Sequence, residues 1–405
     1  MIEEILEYYN PWWSKEYVSP GIQRSNYLSK IEEALKLQKA VFVFGLRRVG
    51  KTFIIKQFVK RRTETLESRR IFYASLDHPE LRSISLMVLL DTFRKINRVR
   101  REKEHYLILD EVQHRENFEI ELKALNDIED GLKIIASGSS SLVVKHRSSA
   151  LAGRYKKIRV NPLDFCEYLN FVGEKYDVTQ PQVMASFMHE YLVTGGIPHY
   201  VLHRDPEFIV DLVEDIIYKD VAQEYELRDP RVLKDLFFLL MDRVGKPMTY
   251  GKIGRLVGIG NDAARKYIGY LQETYLLDLV ERSGTPNERK FSPKKCYCAD
   301  NGLRVVAVGE RGMGALAENL VFNLLRKVND EVLYYTGKNR EIDFIAGPRA
   351  VEVKYRDKLQ VGDLQPLIDL KLRGIREKSI ITETAKSIGK IRTVPLWRFA
   401  GVERS

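Results

Sequence analysis

The stretch Ala40-Val-Phe-Val-Phe-Gly45-Leu-Arg-Arg-Val-Gly50-Lys51-Thr52 decides the fold of this chain. It begins as a short apolar, β-favouring run and continues as the pattern G-x-x-x-x-G-K-[ST], after which residues 53–59 have helical spacing. A glycine-rich turn between a strand and a helix points backbone N–H groups at a phosphate, and the helix N-terminus adds partial positive charge. The sequence therefore predicts a nucleotide-binding loop.

Two side chains of this loop are expected to carry its chemistry. Lys51 is predicted to reach the β- and γ-phosphates, and the hydroxyl of Thr52 is predicted to coordinate Mg²⁺. Arg47 and Arg48 are open to three interpretations, as contacts to phosphate, to nucleic acid or to another domain. The predicted cofactors are ATP and Mg²⁺. The residues assigned to nucleotide contacts are Gly45, Arg48, Gly50, Lys51, Thr52 and Phe53.

A second motif supplies the acidic residues that such a site requires. Residues 106–109 are apolar at successive positions, which suits a strand of a parallel sheet covered on both faces, and Asp110 and Glu111 follow directly. We expect Asp110 to hold Mg²⁺, and we expect Glu111 to orient or deprotonate the attacking water.

Two further groups are candidates for catalysis. The apolar stretch 132–136 leads into a serine-rich turn, where the hydroxyl of Ser139 or of Ser137 would sense the γ-phosphate or the water; a plain turn is the alternative, and the assignment made is Ser139. Arg154 would neutralise charge on the leaving phosphate, either in its own chain or in a neighbouring one. The alternative for Arg154 is a surface arginine beside two lysines.

Composition narrows the class of protein. The 405 residues include 66 Lys and Arg against 56 Asp and Glu, a net charge of +10 that suggests an acidic partner such as nucleic acid. The charge is uneven, because residues 164–225 contain 12 acidic and 3 basic residues. Three cysteines exclude a disulfide scaffold. Because we find no signal-peptide pattern and no apolar run of about 20 residues, we expect a cytoplasmic protein without a membrane partner.

Six motifs, taken in order, resemble a known family. They are Asn10-Pro-Trp-Trp13, Arg47-Arg-Val-Gly-Lys-Thr52, Leu109-Asp-Glu-Val-Gln113, Ser137-Gly-Ser-Ser140, Leu151-Ala-Gly-Arg154 and Gly195-Gly-Ile-Pro198. This order is similar to that of a prokaryotic, archaeal-type family of AAA+-like P-loop ATPases with a C-terminal region of the DUF4143 type. The resemblance spans nearly the whole chain. Where the family usually has Thr-Gly-Ser, this chain has Ser137-Gly138-Ser139, which keeps a hydroxyl.

The fold class expected from the motifs and the resemblance is α/β. The resemblance implies an AAA+-like P-loop ATPase domain, a helical lid, a winged helix and a nuclease-like domain of the restriction-endonuclease type. The predicted segments are an N-terminal helical segment 1–30, the ATPase domain 31–163, the lid 164–225, the winged helix 226–305 and the nuclease-like domain 306–405.

The middle of the chain is predicted to be mostly helical. Helices are expected over residues 165–171, 182–193 and 208–224, with a turn at Gly195-Gly196. The acidic residues of the last of these helices form either a solvated face or a docking face for a basic surface.

The order of predicted helices and strands in residues 231–300 is typical of a winged helix. The expected elements are helices over 232–243 and 250–257, a third helix that Asn261 caps and that runs through Thr274, and two strands, 276–280 and 295–299, around the polar loop 284–292. Direct DNA contact and a mere packing role remain the two interpretations. The residues assigned to DNA contacts are Arg265, Lys266, Arg289, Lys290, Lys294 and Lys295.

The last segment carries a D…E-x-K pattern. Asp343 follows a strand-like run, and Glu352 and Lys354 are two residues apart, which puts both on one side of a strand. Asp343 and Glu352 could share a Mg²⁺ while Lys354 steers the water, with Glu318 as an additional acid. Gln365 is a possible late-motif residue. Charged strand ends are common, so the alternative is a fold without the activity.

Three functions follow from these patterns. The first is a DNA-acting ATPase that couples nucleotide state to a DNA-binding winged helix and a nuclease-like domain. The second is a slow-turnover regulatory ATPase whose C-terminal domains bind protein or DNA without cutting it. The third is a metal-dependent DNA nuclease gated by ATP. DNA is the expected partner in the first and third, and a homo-oligomer is compatible with each of them.

Overall fold

The computed structural model describes residues 2–37, 40–138, 155–174, 177–337, 340–384 and 391–401. The chain divides into two compact units, Met1–Asn161 and Pro162–Ser405. The first unit takes in both the N-terminal segment and the predicted ATPase domain, and the second takes in the three predicted segments that follow. Among the described residues, no helix is both long enough and apolar enough to cross a membrane.

The first unit is an α/β fold around a parallel sheet. Its strands are β1 (Ala40–Phe44), β2 (Ile71–Ser75), β3 (His105–Asp110), β4 (Leu132–Gly138) and β5 (Tyr155–Arg159). Its helices are α1 (Ile2–Tyr9), α2 (Ser25–Leu37), α3 (Lys51–Thr63), α4 (Pro79–Ser83), α5 (Leu86–Asn97) and α6 (Phe118–Ile128). Every residue of β1, β2 and β3 is buried, as expected for strands covered on both faces. This confirms the α/β class with a sheet typical of P-loop proteins.

The strand order of this sheet sets the geometry of its carboxyl edge. The order is β2-β3-β4-β1-β5, and all the pairings are parallel. Strand β4 therefore lies between β1, which leads into the glycine-rich loop, and β3, which ends at Asp110. Because parallel strands end at one edge, the loop, Asp110 and the end of β4 are neighbours.

The N-terminal segment covers the outer edge of this sheet. The Asn10 side chain bonds both backbone groups of Tyr73 in β2, donating to its carbonyl (2.8 Å) and accepting from its N–H (2.7 Å). The indole N–H groups of Trp12 and Trp13 both donate to the carbonyl of Ile71. These side chains form hydrogen bonds with backbone groups of the edge strand β2, as a neighbouring strand would. Residues 1–30 are thus part of the first unit.

The second unit contains a mixed sheet and most of the helices. Its helices are α7 (Phe165–Val172), α8 (Pro181–Thr194), α9 (Pro198–His203), α10 (Pro206–Glu214), α11 (Pro230–Asp242), α12 (Tyr250–Leu256), α13 (Asn261–Glu273), α14 (Pro286–Phe291), α15 (Asn301–Val308), α16 (Met313–Val328), α17 (Val361–Ile368) and α18 (Leu396–Phe399). Its strands are β6 (Pro247–Met248), β7 (Leu277–Arg282), β8 (Lys294–Cys298), β9 (Leu333–Gly337), β10 (Arg340–Ala346), β11 (Arg349–Lys354), β12 (Glu377–Thr382) and β13 (Arg392–Pro395).

Three local predictions in this unit need correction. The single helix expected over 208–224 is α10 followed by a π-helix, Asp215–Ala222. The polar loop expected over 284–292 contains α14, because Thr285 and Glu288 form a capping box that nucleates a turn of helix. Gly260, not Asn261, occupies the N-cap of α13.

One sheet runs through residues 247–395. Its order is β13-β12-β11-β10-β9-β7-β8-β6 over the described residues. The connection between the hairpin β7–β8 and the C-terminal strands is the parallel pairing of β7 with β9, which aligns Glu281 with Leu333 and Arg282 with Tyr334. The hairpin of the predicted winged helix and the C-terminal strands are therefore parts of one sheet, across the boundary placed between residues 305 and 306.

The Gly195-Gly196 turn packs against the start of α15. Asp300 caps α15, and its carboxylate accepts from the N–H groups of Gly302 (2.8 Å) and Gly196 (2.6 Å). A Cβ on Gly195 would lie 2.1 Å from Asp300 Oδ1, and one on Gly196 would lie 2.2 Å from the carbonyl oxygen of Leu163. Both positions therefore require glycine.

The buried carboxyl of Asp300 makes stability depend on pH. Burial raises the pKa of Asp300 from 3.8 to about 6. Since the folded-state pKa exceeds the unfolded-state value, its contribution to stability is fully present below about pH 4 and is lost as the pH rises through about 6. We expect the stability advantage of wild type over Asp300→Asn to shrink by about 2 kcal/mol between about pH 4 and pH 7. Chemical unfolding followed by circular dichroism measures this, and a difference that stays constant with pH would contradict it.

Candidate functional site

The glycine-rich loop has the backbone that its sequence predicts. Gly45 has φ +153° and Gly50 has φ +93°, and a Cβ on Gly45 would lie 2.2 Å from the carbonyl oxygen of Val160. Arg48, which is exposed, also has a positive φ of 67°. Helix α3 starts directly at Lys51, where the loop ends. A loop that leads straight into a helix N-terminus is an arrangement suited to a phosphate.

Lys51 is folded back over the loop. Its side chain is only 6% exposed, and its ammonium donates to the carbonyls of Gly45 and Leu46, at 3.1 Å each. Two of its acceptors are thus neutral carbonyls of the loop. A phosphate oxygen is a stronger, charged acceptor. A bound phosphate would therefore compete with these carbonyls for the ammonium.

The Asp110 carboxylate connects four elements of the sheet edge. Its Oδ2 accepts from the hydroxyls of Thr52 (2.7 Å) and Tyr73 (2.9 Å), and its Oδ1 accepts from the hydroxyl of Ser137 and from the N–H of Glu111 (3.1 Å). Asp110 is 1% exposed. Burial and the charge of Asp110 raise the pKa of Tyr73, so this phenol stays a donor. The predicted pair of Mg²⁺ ligands, Thr52 and Asp110, is in direct contact.

Sequence reasoning missed Tyr73 and gave Ser137 second place. Ser137 lies within the last two residues of β4, where the strand order brings it to Asp110. Tyr73 lies in the interior of β2, and no motif marks it. Only the pairing of β2 with β3, which aligns Ser75 with Asp110, could have identified it. Ser139 and Arg154, two of the predicted catalytic residues, lie outside the described residues.

Glu111 and Phe53 lie beside this centre. Glu111 has a left-handed φ of 54°, and its carboxylate accepts from the side-chain amide of Gln113. The phenyl ring of Phe53 is 53% exposed and lies against Gly21, where an added Cβ would be 3.0 Å from the ring. An exposed aromatic ring next to a predicted phosphate-binding loop is suited to stacking against a base.

A second group of charged residues lies in the C-terminal sheet. Lys354 donates to Glu352 Oε1 (2.6 Å), while Glu352 Oε2 accepts from the N–H of Asp343 (3.2 Å). Glu318 of α16 accepts from the hydroxyl of Tyr297 (2.6 Å). The structure thus brings together the acids and the lysine of the predicted nuclease site. Among the described residues, no three His, Cys, Asp or Glu side chains are arranged to hold a metal ion.

Burial changes the acidity of this second group. Burial and the charge of Asp343 raise the pKa of Glu318 to about 7 and that of Glu352 to about 7. Burial alone would lower the pKa of Lys354, but Glu352 and Asp343 outweigh it and raise the pKa. The lysine is therefore charged at neutral pH.

Four of the residues assigned to DNA contacts line one open groove of about 570 Å³. They are Arg265 of α13, Arg289 and Lys290 of α14, and Lys294 of β8; Tyr250 and Glu281 also line it. Lys266 is exposed nearby on α13. Lys295 is buried, with 1% exposure, and points at carboxylates. Lys294 is also buried, with 6% exposure, and bonds Glu281 (2.7 Å), so the structure contradicts both lysines as DNA contacts.

Comparison with known proteins places an ATPase domain in the first part of the chain. Residues 37–169 match the family AAA_14, described as an AAA domain, so the chain contains an AAA-type P-loop ATPase domain. Residues 186–313 match a domain of unknown function, DUF8612. The DUF4143 region expected from the resemblance stays a prediction.

Full-length relatives share about a quarter of their residues with this chain. An uncharacterized protein of Methanocaldococcus jannaschii, MJ1544, is 26% identical over 91% of this chain and 90% of its own length. An uncharacterized protein of Haemophilus influenzae is 25% identical over 82% of this chain and 86% of its own length. Among solved structures, the Walker-type ATPase PABY2304 of Pyrococcus abyssi has a TM-score of 0.47 and 15% identity, and covers 73% of this chain and 99% of its own.

The contact between Thr52 and Asp110 predicts that ATP binding depends on Thr52 when Mg²⁺ is present. Thr52→Ala should weaken ATP binding about tenfold or more in the presence of Mg²⁺, because it removes a ligand and a charge-assisted hydrogen bond. ATP binding in EDTA should change little, since Lys51 and the loop N–H groups remain. Titration of a fluorescent ATP analogue with and without Mg²⁺ measures both values, and an equal loss in the two conditions would contradict the assignment.

Proposed function

We propose that this protein binds and hydrolyses ATP with Mg²⁺ and couples the nucleotide state to a DNA-binding winged helix in its second unit. The observation that carries the ATPase half is the four-way contact of Asp110 with Thr52, Tyr73, Ser137 and Glu111 beside the Lys51 loop. The match of residues 37–169 to an AAA domain supports the same function.

Each proposed role at the nucleotide site has a physical basis. The loop N–H groups and Lys51 would bind the β- and γ-phosphates, and Thr52 and Asp110 would hold Mg²⁺. The metal supplies charge neutralisation at the phosphates when it is bound. Glu111 would orient the attacking water and accept its proton. Ser137 and Tyr73 are positioning residues, since both donate to the Asp110 carboxylate and fix its direction.

DNA binding is proposed from the groove between α13, α14 and β8. Arg265 of α13 and Arg289 and Lys290 of α14 present cations from two helices to one space. Tyr250 lines the groove, with the Arg265 guanidinium 5.2 Å from its ring centre, and Phe291 at the end of α14 is 78% exposed. Cations with interleaved aromatic rings are suited to phosphates and bases together. The winged-helix interpretation of this segment remains part of the proposal.

Two variants separate ATP binding from ATP hydrolysis. Lys51→Ala should abolish measurable ATP binding, because it removes the cation at the β- and γ-phosphates. Glu111→Gln should bind ATP like wild type but reduce turnover by about 10²-fold or more, because the amide cannot accept the proton. Filter binding of labelled ATP and release of inorganic phosphate measure the two properties. Rapid hydrolysis by Glu111→Gln would exclude Glu111 as the water-orienting group.

A slow regulatory ATPase is the second candidate, and one contact favours it. The Gln113 side-chain amide donates to Glu111 Oε2, which occupies an acceptor that the attacking water would use. Turnover would then stay low until this contact is broken. Under this function, Gln113→Ala should raise basal turnover several-fold, with ATP affinity unchanged. A decrease in turnover would instead make Gln113 a positioning residue for Glu111.

The groove predicts how DNA affinity depends on salt. Arg265→Ala combined with Lys290→Ala should lower DNA affinity and reduce the slope of log K against log salt by about 2, because two phosphate contacts are lost. Lys15→Ala combined with Arg69→Ala removes the same charge from exposed positions of the first unit and serves as the control. Fluorescence anisotropy at several salt concentrations measures both. Equal effects of the two double variants would contradict the groove as the DNA site.

The remaining expectations stay predictions. They are a cytoplasmic location, a possible homo-oligomer, and the action of Arg154 in its own chain or in a neighbour. ATP-gated DNA cleavage by Glu318, Asp343, Glu352 and Lys354 is the function that the site geometry supports least, because the Lys295 ammonium lies among these acids.

A further inference from the structure

Lys295 lies inside the acidic cluster of the C-terminal sheet, which we define as Glu318, Glu341, Asp343 and Glu352. Its ammonium is 2.5 Å from Glu341 Oε1, 3.4 Å from Glu318 Oε1 and 3.6 Å from Asp343 Oδ1. Lys295 belongs to β8, which is part of the hairpin and not of the strands that carry the D…E-x-K pattern. The side chain therefore enters the cluster from a neighbouring part of the sheet.

Burial shows that Lys295 is a fixed part of this cluster. The residue is 1% exposed and is among the largest fully buried side chains of the described chain. A buried ammonium is costly unless carboxylates surround it. Burial alone would lower the pKa of Lys295, but Glu318, Asp343 and Glu341 outweigh it and raise the pKa above the ordinary value. The ammonium is charged, and its charge is matched by these three acids.

Both carboxylate oxygens of Asp343, and both of Glu352, have a partner in the protein. Asp343 Oδ2 accepts from the N–H of Val353 (2.9 Å), and Asp343 Oδ1 faces Lys295. Glu352 Oε1 accepts from Lys354, and Glu352 Oε2 accepts from the N–H of Asp343. Mg²⁺ requires oxygen ligands at about 2.0–2.1 Å in near-octahedral geometry. These carboxylates are directed at N–H groups and ammonium groups instead.

A divalent cation and the Lys295 ammonium would compete for the same oxygens. Lys295 is within 4 Å of Asp343 and Glu318, two of the three proposed metal ligands. Two positive groups at such a separation in a buried place repel each other strongly. The residues present therefore do not fit a bound metal, in agreement with the lack of a three-ligand group among the described residues.

We propose that Lys295 is the resident cation of this cluster, where it replaces the metal that the D…E-x-K pattern would otherwise hold. The C-terminal sheet is then a metal-free scaffold that does not hydrolyse DNA. The same lysine fastens the hairpin β7–β8 to β10 and α16, next to the direct pairing of β7 with β9. The hairpin and the C-terminal strands are consequently joined by these ion pairs as well as by the strand pairing.

Manganese binding to the full chain without nucleotide tests this proposal. Free Mn²⁺ is measured by electron paramagnetic resonance during titration of wild type and Asp343→Asn. Any Mn²⁺ held near the P-loop contributes equally to both proteins. We expect identical binding curves, because Asp343 holds no metal in wild type. Loss of a Mn²⁺ site in Asp343→Asn would overturn the proposal.

A second comparison tests the role of Lys295 directly. Lys295→Met keeps an unbranched side chain out to Cε and removes the ammonium. It should create a Mn²⁺ site that is at least about tenfold tighter than any at this position in wild type. The added site should disappear in Lys295→Met combined with Asp343→Asn. Lys294→Met, the neighbouring buried lysine of β8, which bonds Glu281 (2.7 Å), is the matched control and should gain no site.

The outcomes are decisive in either case. A folded Lys295→Met without an added Mn²⁺ site would show that Lys295 does not occupy a metal position and would overturn the proposal. If circular dichroism shows that Lys295→Met does not fold, the comparison of wild type with Asp343→Asn decides alone. ATP turnover, measured in the same samples, reports separately on the P-loop function.

Discussion

The hydrogen bonds of the Asp110 carboxylate are the interaction on which the sheet edge of the first unit depends. The carboxylate is buried at the end of β3 and accepts from side chains or backbone of β2, β4, α3 and the turn that follows it. A buried carboxylate with four donors is fixed in direction, and removing one donor leaves part of its buried charge without a hydrogen bond. The same contacts that stabilise the sheet edge therefore also fix the direction of the carboxylate that we propose as a Mg²⁺ ligand.

The sequence predicted this half of the molecule well because its signals are local. The loop from Gly45 to Thr52 has a fixed spacing, and the apolar strand before Asp110 is continuous, so each could be identified without knowing the fold. The part that could not be predicted depends on strand order. Tyr73 reaches Asp110 only because β2 is the neighbour of β3, and Ser137 does so only because β4 lies between β1 and β3.

The second unit shows the limit of motif reasoning more clearly. The residues Asp343, Glu352 and Lys354 lie together as their spacing predicts, yet their chemistry depends on Lys295, which is 48 residues before Asp343 in the chain. As a surface lysine of a wing, Lys295 would bind phosphate; as a buried partner of three acids, it neutralises a site. Nothing in the local sequence distinguishes these roles, because the pairing of β7 with β9 is a long-range contact.

In the function we propose, ATP is hydrolysed in the first unit and nucleic acid is bound, without cleavage, in the second. The most direct test of this account is steady-state ATP turnover of the full chain with Mg²⁺, measured without DNA and with single-stranded, double-stranded and branched DNA. The account predicts Mg²⁺-dependent turnover that increases with at least one of these DNAs, while the DNA itself stays intact. Turnover that is the same with and without every DNA would contradict the coupling that the account requires.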